Sequence, residues 1–183
     1  LLQVVLRLSK ESSQVLPVKL AREAGITYEQ LILLQLSRCS RPMDALDFYK
    51  CVMNLLALLP PDIRLEVQRR ESAVLKALNE KIKEVCGAPP KGPHDDEYYK
   101  CLAAKRSEIA LKVAEELNAK NYYYIVHCLV PSNTITYVYC QNLLDMCLAV
   151  DVLHERGLIG FEEKPLYVGT VNVPRKSDKV GNK

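Results

Sequence analysis

Ser132-Asn-Thr-Ile-Thr-Tyr-Val-Tyr-Cys-Gln-Asn-Leu-Leu-Asp-Met-Cys-Leu-Ala-Val-Asp-Val-Leu-His-Glu-Arg-Gly157 runs on into Leu158-Ile-Gly-Phe161, Glu162-Glu-Lys-Pro165 and Leu166-Tyr-Val-Gly-Thr-Val-Asn-Val173. Ser132 or Asn133 is placed to cap a short helix through Tyr139, and the apolar spacing from Gln141 to Arg156 predicts a long one. Gly157 is the residue type that ends a helix, because it adopts positive φ without a Cβ penalty. The next two runs are short and carry β-branched and aromatic residues, so they read as strands around the turn Glu162–Pro165.

Helix, glycine stop and hairpin, in that order, resemble the end of a winged-helix domain. The resemblance implies a mainly α chain, with a helical N-terminal unit followed by a winged-helix-like C-terminal unit that closes on a terminal β-hairpin. The expected division is a helical domain over 1–87, a linker over 88–96, a winged-helix-like domain over 97–174 and a basic flexible tail over 175–183. The linker rests on Gly87-Ala-Pro-Pro-Lys-Gly-Pro-His-Asp-Asp96, which cannot continue a helix. A long loop inside one domain is the other reading of that stretch.

Upstream, Pro17 sits at a favoured first-turn position and Gly25 at a stop, which predicts a helix over Val18–Ala24. Thr27-Tyr-Glu-Gln30 has the spacing of a capping box and launches the almost wholly apolar Leu31–Leu36. Leu20-Ala-Arg-Glu-Ala-Gly-Ile26 resembles the first helix and turn of a helix-turn-helix, although an ordinary αα-corner has the same pattern. Further helices are expected over Met43–Leu59 and, after Pro60-Pro61 with Asp62 as cap, over Ile63–Cys86. Beyond the linker, Glu97 to about Ala119 is amphipathic. Asn121–Val130 has strand-like content and helix-like length, and its helical surroundings favour helix.

Hydrophobic residues make up 49% of the chain and charged residues 26%, which is globular composition and argues against wholesale disorder. The net charge of +3 is mild for a dedicated nucleic-acid binder. Leu1–Leu8 is apolar but too short to span a membrane and lacks a leading basic region, so no signal peptide is expected; the missing initiator Met reads as a fragment. The seven cysteines are odd in number and include no C-x-x-C. They read as small buried hydrophobes in a reducing compartment, nucleus or cytoplasm, with no metal site.

No phosphate loop, nucleophile elbow or zinc-protease helix is present, and His94, His127 and His154 lie far apart in sequence. Neither catalysis nor a cofactor is therefore expected. Tyr122, Tyr123 and Tyr124 cannot all face inward, so they are the candidate protein-contact residues. The leading expectation is a non-enzymatic interaction or scaffold subunit of an intracellular complex, with other protein subunits as partners and no membrane. The alternative is a nucleic-acid-binding winged helix using Lys164, Arg175, Lys176 and Lys179 on DNA or RNA. Against it, the candidate recognition helix sets Asp145, Asp151 and Glu155 beside a single Arg156, and carboxylates facing a groove repel phosphate.

Overall fold

The computed structural model describes residues 15–90 and 96–160, with side chains from Val18 onward. Seven α-helices occupy this region: α1 Val15–Glu23, α2 Tyr28–Cys39, α3 Ala45–Ala57, α4 Pro61–Cys86, α5 Asp96–Glu116, α6 Tyr123–Leu129 and α7 Thr134–Glu155. A single 3-10 turn, Lys120–Tyr122, precedes α6.

Local chemistry fixes the ends of these helices. At α2 the Thr27 side chain accepts from the Gln30 N–H at 3.1 Å while Gln30 Oε1 accepts from the Thr27 N–H at 2.9 Å, so the expected capping box is formed. Asp44 caps α3 through the Asp47 N–H at 2.8 Å, and Asn133 caps α7 through the Thr136 N–H at 2.8 Å. Asp62, expected as the cap of α4, lies instead inside its first turn, because Pro61 already takes the first helical position. Its carboxylate meets Arg156 at 2.9 Å; the acid sits at a helix start and the base just past a helix end, where both suit the backbone dipoles.

Among the described residues, 15–68 and 145–160 form one compact unit, and 69–90 with 96–144 form the other. In the first, Ile32, Phe48, Val52, Leu55, Leu59, Met146, Val150 and Leu153 are fully buried. In the second, Leu102, Ile109, Val113, Leu129 and Leu144 fill the same role. Each unit thus has its own apolar core, as compact units of this size require.

The winged-helix expectation is overturned. No strand occurs among the described residues, and at the expected start of the first strand Leu158 and Ile159 form a bend and Gly160 is irregular. The reason lies in the helix end. Gly157, at φ 70°, donates to the His154 carbonyl and Leu158 to the Leu153 carbonyl, so the backbone N–H groups needed to open a ladder close the helix instead. The remainder of the expected hairpin, Phe161–Val173, lies outside the described residues. α7 contains the expected recognition helix, and its middle is core: every residue from Asn142 to Val150 is buried, while Ile135 and Val138 near its start are exposed. It is moreover continuous from Thr134, where the sequence suggested a short helix and then a long one.

Six of the seven cysteines are joined in disulfides, Cys39–Cys51, Cys86–Cys101 and Cys128–Cys140, which corrects their reading as unpaired hydrophobes. Each joins one helix to the next across a Pro-containing break, with Cα atoms 5.5, 5.8 and 5.9 Å apart. Cys147, buried in α7, stands outside the three bonds.

Candidate functional site

Asn121–Val130 folds as the 3-10 turn and α6, and this decides where its tyrosines go. Tyr122 ends the 3-10 turn and is buried, only 8% exposed. Tyr123 and Tyr124 open α6 and are half-buried, their rings edge to face at 5.1 Å. One turn on, His127 lies on the Tyr123 side of the helix, with ring centroids 6.0 Å apart. The three tyrosines therefore divide: one packs inward and two reach the surface.

α5 supplies the other wall of this surface. Ser107 Oγ lies 3.3 Å from His127 Nε2, although the two residues are 20 positions apart. α5 and α6 pack closely, and the short connection between them makes them antiparallel. The residue one turn after Ser107, Leu111, is consequently level with Tyr123, and it is 47% exposed. Elsewhere on α5, Lys105 and Lys112 both pair with Glu108, at 3.5 and 3.3 Å. The Lys112 hydrogen bond and then the Lys105 charge hold the Glu108 carboxyl below its usual range. A compact face results: two aromatic rings, an imidazole and a hydroxyl, with the exposed Leu111 one turn along α5.

A hydroxyl and an imidazole at this distance have the makings of a nucleophile–base pair. Acyl transfer also needs a group orienting the imidazole and donors converging on an oxyanion in a water-poor pocket. Ser107 is exposed, and neither it nor His127 lines three clefts of the described surface, of about 510, 400 and 320 Å³. No group of three His, Cys, Asp or Glu side chains that could hold a metal occurs among the described residues. None of the described helices is long and apolar enough to cross a membrane.

The cleft of about 400 Å³ belongs to the other unit and is lined by Val18, Tyr28, Leu58, Pro60, Pro61 and Leu158 among others. Tyr28 donates its hydroxyl to the Leu58 carbonyl at 2.8 Å, satisfying an acceptor that the end of α3 leaves open. Burial pushes its phenol up from 10.0 to about 12. The cleft offers an apolar wall and no second convergent polar group, which suits packing better than ligand selection.

Lys164, Arg175, Lys176 and Lys179 lie outside the described residues. Sequence reasoning missed the meeting of Ser107 with His127, for which the chain carries no local signal. It also missed the disulfides, for which a signal existed: each pair brackets a break between helices. Compared with protein-family models, with curated proteins and with solved structures, the chain matches none of them.

Proposed function

We propose that the protein is a non-enzymatic interaction subunit, a mainly helical, disulfide-braced module that presents the Tyr123, Tyr124 and His127 face to another protein. The observation that carries this reading is the pair of half-exposed tyrosines, stacked edge to face and backed by α5 with Leu111 in the open. Interface centres favour such side chains, since a tyrosine brings a large apolar ring and a hydroxyl at little conformational cost.

Six paired cysteines support a place of folding where disulfides persist, such as a secretory lumen, over the cytosol or nucleus expected from unpaired ones. Gentle extraction from the native source under non-reducing conditions tests the reading. The chain is expected to run well above its own 20.7 kDa. Substituting Tyr123→Ser with Tyr124→Ser should weaken partner binding by about tenfold or more, as hot-spot tyrosines do. A native chain that runs alone, or a partner indifferent to both substitutions, would remove the proposal. Salt-sensitive binding to mixed oligonucleotides would favour nucleic acid instead.

A further inference from the structure

The three disulfides differ in what surrounds their sulfurs. Cys39 is 1% exposed, and the bond it makes with Cys51 is covered by Gln35. The Gln35 Nε2 donates to the Cys51 carbonyl at 3.0 Å and lies 3.4 Å from the Cys51 sulfur. Cys140 is wholly buried at its end of the bond with Cys128. Cys86 and Cys101 are different, because neither of them is buried. They sit at the last residue of α4 and in the second turn of α5, one on each side of the proline-rich stretch.

We infer that Cys86–Cys101 is an exchangeable clasp, a redox-sensitive tie between the end of α4 and the start of α5, while the other two disulfides are permanent braces. Thiol–disulfide exchange needs a thiolate to approach one sulfur along the axis of the bond, with the far sulfur free to leave. Both sulfurs of the clasp can serve as target or leaving group. In each of the other bonds one end is shut inside a core, so one of the two directions of attack is closed.

The reagent class is a dithiol, either a small one or a C-x-x-C oxidoreductase. Its thiolate attacks the sulfur of Cys86 or Cys101, forms a mixed disulfide and expels the other cysteine as thiolate. Its second thiol, losing a proton, then displaces the remaining cysteine. The reagent ends as a disulfide, and the clasp gains two electrons and, once both thiolates are protonated, two protons. Opening it releases the last turn of α4 from the first turns of α5 and leaves the tyrosine face on α6 covalently untouched.

The test is to hold the full, folded chain in a graded series of dithiothreitol, trap thiols with N-ethylmaleimide and map the label by peptide mass. Cys86 and Cys101 should be labelled together, at a dithiothreitol concentration about tenfold below that needed for the other four. At that step, amide exchange should quicken in Lys83–Cys86 and Asp96–Cys101 and hold elsewhere. Simultaneous labelling of all six, earlier labelling of either other pair, unchanged amide exchange, or seven thiols in the unfolded, unreduced chain would each overturn the inference. The variant Cys86→Ala with Cys101→Ala should lose only the first step; if it fails to fold, the wild-type order of labelling decides.

Discussion

Tyr28 shows how much one side chain can tie together. Its ring packs at the cleft beside Pro60 and Pro61, and its hydroxyl closes the end of α3. Tyr28→Phe keeps the ring and strands the Leu58 carbonyl, which should cost about 1 kcal/mol in chemical unfolding. The pH dependence comes from the same burial. The folded phenol titrates at about 12 against an ordinary 10.0, so the neutral form is the one the fold favours. Its contribution is complete below the ordinary value and is lost as the pH rises towards the folded one, on the order of 1 kcal/mol after discounting for partial exposure. Alkaline unfolding of wild type and Tyr28→Phe should therefore converge, and parallel curves would contradict this account. Gly157 is the second such residue. At φ 70° nothing crowds its missing Cβ, so Gly157→Ala brings only backbone strain, about 1 kcal/mol of stability.

At the scale of elements, α7 matters most, because its middle is buried on all sides. Leu144→Ala leaves a cavity at a site with no exposure, and thermal unfolding should report a loss of about 2–5 kcal/mol. A much smaller loss would mean that the surrounding helices collapse into the space. The sequence described several of the helix ends well, though not the start of α1 at Val15, the start of α4 at Pro61 or the unbroken run of α7. The Thr27–Gln30 box, the Asn133 cap and the Gly25 and Gly157 stops are local matters, decided by a few backbone groups and the side chains within reach of them. It misjudged the segment after α7, because Leu158-Ile159 looks like the start of a strand only when its backbone is free. Here Ile159 is buried and the Leu158 N–H is taken up by the helix end. The tyrosine run was equally incomplete in sequence: periodicity could say that not all three rings face inward, but it could not name Tyr122 as the one that does.

For the whole molecule the disulfides set the behaviour. Each closes a short loop, of 12, 15 and 12 residues, and removal of one such bond costs about 3 kcal/mol in the chain-entropy account. Unfolded without reductant, the chain should expose a single reactive thiol, that of Cys147, and after reduction all seven. Thiol titration with a chromogenic disulfide checks the count. Full reduction should lower the melting temperature by tens of degrees, since the combined loss approaches the whole stability of a chain of this size.

By itself the sequence determined that this chain is helical through most of its length, where several of its helices start or stop, and that it has apolar faces enough for a core. These are consequences of short-range geometry, in which a capping oxygen or a glycine acts on its own turn. Only the tertiary structure decided which cysteines pair, which tyrosine is buried, that α7 lies inside the fold and that Ser107 meets His127. Those outcomes depend on which helix faces which, and residues far apart in the chain become neighbours only after the helices have packed.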